Sequence, residues 1–151
     1  MKIETPIPNI VIVGPVEDDC GSGLFFAQFP WRFCRVPGCL EFLNHARRHD
    51  SYVVICERDL QDGDWKDVLG ISLCLRNPPP LIVTSRLADN HLWAEVLNLG
   101  GYDVLAKPLD THEVDRVVTL AWGHAANEQR SNQRPRSAIA RAGGAGICST
   151  A

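Results

Sequence analysis

The sequence predicts an α/β fold: a doubly wound, five-stranded parallel sheet built as (βα)5. Three observations lead there. Short runs dense in β-branched residues recur along the chain. Between them lie segments whose apolar residues fall three and four apart, the helical spacing. The runs are nearly continuous in apolar residues instead of alternating, as strands covered on both faces are. Strands that alternate with helices in this way form a parallel sheet between two helical layers.

Four runs read as strong strands: Asn9 to Val13, Tyr52 to Cys56, Leu81 to Thr84 and Tyr102 to Ala106. A fifth, Trp31 to Val36, mixes apolar and charged residues and suits a sheet edge. Leu40, Leu43 and Ala46 mark a helix from about Gly38 to His49, and Trp65, Val68, Leu69, Leu73 and Leu75 mark another from about Asp64 to Arg76. Leu92, Val96, Leu97 and Leu99 mark a third, stopped by Gly100-Gly101. Val114, Val117, Val118, Ala121 and Trp122 mark the last, from Asp110 or Thr111 to about Asn127. The acids Glu113 and Asp115 near its start suit the helix dipole. The poorest segment runs from Glu17 to Phe29, where the acids and glycines up to Gly23 cap a short helix that Pro30 ends.

The chain has 151 residues, 45% of them hydrophobic, enough for one domain with a sizeable core. The net charge of -3 conceals a split: the four arginines and no acids of residues 130–151 leave that segment at +4 and the rest at -7. The expected organisation is a lead-in over 1–7, a domain over 8–129 and a disordered basic tail over 130–151. The tail is poor in large apolar residues. It reads most simply as solubilising, with contact to nucleic acid or an acidic partner as the alternative. No apolar run reaches membrane-spanning length, and the first residues hold no apolar leader run, so a cytoplasmic protein is expected. None of the six cysteines is spaced Cys-x-x-Cys, so neither a zinc knuckle nor a redox motif is indicated. Free thiols are expected, with Cys56 and Cys74 packed as small core hydrophobes. There is no Gly-x-Gly-x-x-Gly after the first strand and no Walker loop, so nucleotide binding is not supported.

In parallel sheets functional groups gather at the carboxyl ends of the strands. There the third strand ends in Cys56-Glu57-Arg58-Asp59, the fourth in Thr84-Ser85 and the fifth in Lys107-Pro108. A carboxylate, a hydroxyl and a lysine in this order, with Lys-Pro leading into a helix, resemble the receiver domain of two-component response regulators (the CheY-like superfamily, a flavodoxin-like fold). The resemblance covers about residues 8–127 and points to a divergent pseudo-receiver branch.

In that family an aspartate ending the third strand accepts a phosphoryl group from a histidine kinase. Two acids after the first strand help bind Mg²⁺, and the hydroxyl and lysine read the phosphoryl oxygens. The resemblance therefore implies Glu57 as the equivalent of the phosphoacceptor, with Thr84 and Lys107 as the switch residues. The chain departs from the pattern at Glu57 itself, at Gly14-Pro15 where the acid pair belongs, and at Val104 where a switch aromatic is frequent. Gly and Pro offer no side-chain oxygen to a hard cation, and the extra methylene of Glu57 misplaces an attacking oxygen.

The expectation is thus a stand-alone signal-transduction module, phosphorylation-impaired, that acts through protein–protein contacts, with no enzymatic activity and no cofactor. Its partner would be a signalling protein, such as a histidine kinase or another two-component protein. A homodimer is compatible with this; a membrane or nucleic acid is not expected. Glu57 would be a permanent charge beside Lys107 that imitates an acyl phosphate, or a strand-end ion pair with no signalling role. One alternative is a working phosphorelay receiver that uses Asp59 and Mg²⁺, with Asp18 and Asp19 as weak candidate ligands whose plainer role is helix capping. Another is a small α/β enzyme or ligand-binding domain with its pocket at the strand ends. Trp65, Trp93 and Trp122 occupy helical positions that read as packing. If exposed, Trp93 marks a partner surface, since in receivers its helix belongs to the usual contact face.

Overall fold

A computed structural model describes residues 7–15, 22–50 and 52–132. The expected capping acids and metal candidates Glu17, Asp18 and Asp19 lie outside the described residues, as does the chain from 133 onward.

The five main strands are β1 (Asn9–Val13), β2 (Arg32–Val36), β3 (Val53–Glu57), β6 (Leu81–Ser85) and β7 (Asp103–Ala106). They pair in parallel in the order β2-β1-β3-β6-β7. Alternation along each strand divides the interior into two cores. Val11, Val13, Val54, Cys56, Leu81 and Val83 face one layer, formed by α2 (Cys39–Ala46), α3 (Trp65–Leu73) and α4 (Asn90–Leu99). Ile10, Ile12, Val53, Ile55, Ile82 and Leu105 face the other, formed by α1 (Ser22–Ala27) and α5 (Thr111–Asn132). This is the doubly wound α/β sheet that the apolar runs predict.

The segment after β3, read from sequence as loop, instead folds into a hairpin of two-residue strands, β4 (Asp59–Leu60) and β5 (Gly63–Asp64). It leads directly into α3, whose N-cap Asp64 forms a reciprocal capping box with Asp67. Helix α4 starts on Asp89, which accepts from the Leu92 amide, and closes at Gly100 as expected. Asp110 accepts from the Glu113 amide at the start of α5.

Helix α5 runs to Asn132, past the expected end near Asn127 and into the segment read as a disordered tail. Ala125, Ala126, Glu128, Gln129 and Arg130 are good helix formers, and the first breaker is Pro135. Three side chains also differ from their expected placement. Leu40 is 62% exposed because α2 turns Phe42 and Ala46 inward. Cys74 is an exposed thiol at the end of α3, whereas Cys56 is buried. Trp93 is half exposed, because Leu92 and Val96 form the buried stripe of α4. Trp65 lies in the core. Among the described cysteines Cys34, Cys39, Cys56 and Cys74 are free thiols.

At the far end of α2 the His45 and His49 rings stack with centroids 4.1 Å apart, and Tyr52 meets His45 edge-on at 5.1 Å. His45 Nδ1 and the Tyr52 hydroxyl are buried without a hydrogen-bond partner. Burial, followed by the neighbouring His49, lowers the His45 pKa below its ordinary 6.5. The unfolded chain therefore binds this proton first, so stability is full above about pH 6.5 and declines as pH falls below it. The melting temperature is expected to drop between pH 7.5 and 5.5, and to drop less in His45→Phe. An equal drop in the two proteins excludes His45 as a source of the pH dependence.

Candidate functional site

The carboxyl ends of β1, β3, β6 and β7 surround one depression. Register puts Glu57 of β3 directly beside Thr84 of β6, and Thr84 beside Leu105 of β7. The chain then continues to Lys107, whose amide donates to the Ser85 carbonyl at 3.0 Å and whose bond to Pro108 is cis. Glu57 Oε2 and Lys107 Nζ form a direct ion pair. The Lys107 side chain is only 5% exposed and that of Glu57 25%, so both charges are largely withdrawn from water and each stabilises the other. Thr84 is buried, and its hydroxyl donates a long 3.5 Å hydrogen bond to the Cys56 carbonyl. The structure thus brings together the three strand-end residues singled out in the sequence.

Gly14 explains how the longer carboxylate fits. A Cβ at this position would lie 2.6 Å from Glu57 Cγ, and Gly14 has φ +156°. The Glu57 side chain fills the space that a residue with a side chain would occupy at the end of β1. A side chain at 14 and the Glu57 side chain therefore compete for one space.

Glu57, Thr84 and Lys107 line a small depression with Gly14, Phe26 and Arg35. Arg35 was not singled out in the sequence. It sits one residue before the end of β2, opposite Ile12 of β1, and Nη1 donates to the Pro15 carbonyl at 3.4 Å. Its only sequence signal is a basic residue beside the last residue of an edge strand. The depression is small for a ligand site and open to solvent.

Asp59 is not brought to this site. It lies exposed on the β4–β5 hairpin opposite Asp64, and is not among the residues lining the depression. The described residues do not fit a Mg²⁺ ion. Gly14 and Pro15 carry no oxygen side chain, Glu57 is engaged by Lys107, and a second carboxylate at 14 would collide with it. Among the described residues no group of three His, Cys, Asp or Glu could hold a metal, and no helix is long and apolar enough to cross a membrane.

Neither a protein-family model nor a curated protein matches the chain. Solved structures do. The signal receiver domain of a protein described as a Luxo repressor from Vibrio parahaemolyticus aligns with TM-score 0.73 at 19% identity, covering 85% of this chain and 100% of that one. The signal receiver domain of an HD-domain-containing protein from Pseudomonas fluorescens Pf-5 gives 0.72 at 21% identity, covering 86% and 97%. The receiver domain of a sensor histidine kinase from Pseudomonas aeruginosa PAO1 gives 0.65 at 19% identity, covering 78% and 98%; that structure has a magnesium ion coordinated in its active-site cleft. The chain adopts the fold of response regulator receiver domains.

Proposed function

We propose that the chain is a receiver-like signal-transduction module that works by protein–protein contact and is impaired in phosphorylation. Glu57 occupies the phosphoacceptor position as a permanent charge, and no catalytic activity is assigned. The observation that carries this reading is the direct Glu57–Lys107 pair, seated in the space left by Gly14. The lysine that would neutralise a phosphoryl oxygen already holds a carboxylate. Contact with a partner is assigned to the outer flank of α4, where Trp93 and Leu97 are exposed in succession along the helix. An exposed Trp of this kind is a typical anchor residue. The fold similarity supports a signalling partner such as a histidine kinase, and one sensor histidine kinase carries a receiver domain of this shape.

Incubation with Mg²⁺ and acetyl phosphate, followed by intact-mass measurement, is expected to leave the protein unmodified. A phosphoryl adduct that Asp59→Asn abolishes overturns the reading in favour of a working acceptor at Asp59.

The ion pair is expected to behave as one unit in urea unfolding. Glu57→Gln and Lys107→Met each cost about 1–3 kcal/mol, and the double variant loses at least about 1 kcal/mol less than their sum. Additive losses show that the pair is not an energetic unit.

Gly14→Asp overpacks against Glu57 and is expected to cost about 1–3 kcal/mol. When Glu57→Asp is already present, the same substitution costs measurably less, because the shorter side chain vacates the space. Equal cost in both backgrounds refutes the steric coupling of residues 14 and 57.

A further inference from the structure

The segment that follows Glu57 is tied to α2 through one carboxylate. Gly38 is the N-cap of α2 and makes no side-chain cap. Asp62, between the two short strands of the hairpin and 23 residues beyond Cys39, supplies it. The Cys39 amide donates to its Oδ1 at 2.9 Å and the Leu40 amide to its Oδ2 at 3.2 Å. First-turn amides lack acceptors within their own helix and carry the positive end of its dipole, so a carboxylate is the favoured occupant. These hydrogen bonds, the one from Cys39 foremost, hold the Asp62 carboxyl below its ordinary range.

The absence of a side chain at 38 is what admits Asp62. A Cβ there would lie 2.5 Å from Asp62 Oδ1. The backbone of Gly38 is extended, at φ -166°, a conformation open to any residue. A serine at 38 could therefore cap α2 locally, and the chain instead draws its cap from the segment behind Glu57.

That segment is fixed at its ends as well. The Arg58 amide donates to the Thr84 carbonyl at 3.0 Å, and the Trp65 amide to the Arg58 carbonyl at 3.0 Å. Asp64 then caps α3. With the ends pinned to β6 and α3, Asp62 is the attachment of its middle to α2. It joins the β2–α2 turn to the β3–α3 segment, on either side of β1.

We propose that Asp62 is a latch that makes the β4–β5 hairpin and the first turn of α2 one opening unit, so that the segment behind Glu57 moves together with α2. A cap supplied by a helix's own N-cap residue protects that helix alone. A cap supplied by a distant hairpin makes the opening of either element loosen the other. This coupling goes beyond the reading of Glu57 as a fixed charge and stands whether or not that charge signals.

Amide hydrogen exchange on the full chain tests it with two variants. In Asp62→Ala, first-turn amides of α2 and hairpin amides are both expected to exchange about fivefold faster, the scale set by loss of an N-cap. Asp62→Asn, which keeps the shape and removes the charge, is expected to shift both in the same direction by less. In Gly38→Ser with Asp62→Ala, the introduced hydroxyl caps α2 locally, so α2 regains protection while the hairpin stays fast. The latch is overturned if Asp62→Ala accelerates α2 and leaves the hairpin unchanged, or if Gly38→Ser restores both.

Discussion

A lysine ammonium that is almost wholly enclosed at the end of a parallel sheet has to meet a counter-charge there. The pairing of Lys107 with Glu57 meets that demand, and much of the site is arranged around it. Removing a charge from water costs several kcal/mol unless it is paired. The sheet register satisfies the condition by setting Glu57 beside Thr84 and by anchoring the Lys107 amide on the neighbouring strand. The parallel strands order these groups, and the ion pair spans the opening between them.

The same pairing also shapes the end of β1. A site built to hold a cation and a phosphoryl group needs several carboxylates with room between them. Here one carboxylate reaches across to the lysine, and Gly14 at the end of β1 leaves room for it. Arg35 adds a second cation to the lining. The described groups therefore favour a fixed carboxylate over a bound divalent ion. The hairpin behind Glu57 is fastened to two different helices, by Asp62 and by the Asp64–Asp67 box.

What could be read from the chain follows from which forces are local. The β-branched runs of β1, β3 and β6 are buried on both faces, so their apolar continuity exposed the sheet, and with it the strand-end positions of Glu57, Thr84 and Lys107. The β4–β5 hairpin is too short to leave a periodic signal. The cap from Asp62 is a tertiary contact that nothing near Gly38 announces. The space that Gly14 leaves for Glu57 could not be read from the chain, because the clash depends on two strands meeting. Leu40 and Trp93 misled for a common reason: a helix with several apolar residues can turn either stripe inward, and packing by Phe42 or by Leu92 and Val96 decides which. The end of α5 is set by helix propensity, which the polar composition of residues 128–132 conceals.

The central claim is that Glu57 is the resident counter-ion of Lys107 and holds the place a metal-dependent receiver keeps for its cation and phosphoryl group. The most direct measurement is an NMR titration with Mg²⁺ that follows the Glu57 carboxylate, the Lys107 ammonium and the Gly14 amide. The expected result is a Lys107 ammonium signal that depends on Glu57, lost or shifted in Glu57→Gln, and no saturable change at these three positions on adding Mg²⁺. A saturable shift of Glu57 and Gly14, with release of Lys107, would contradict it.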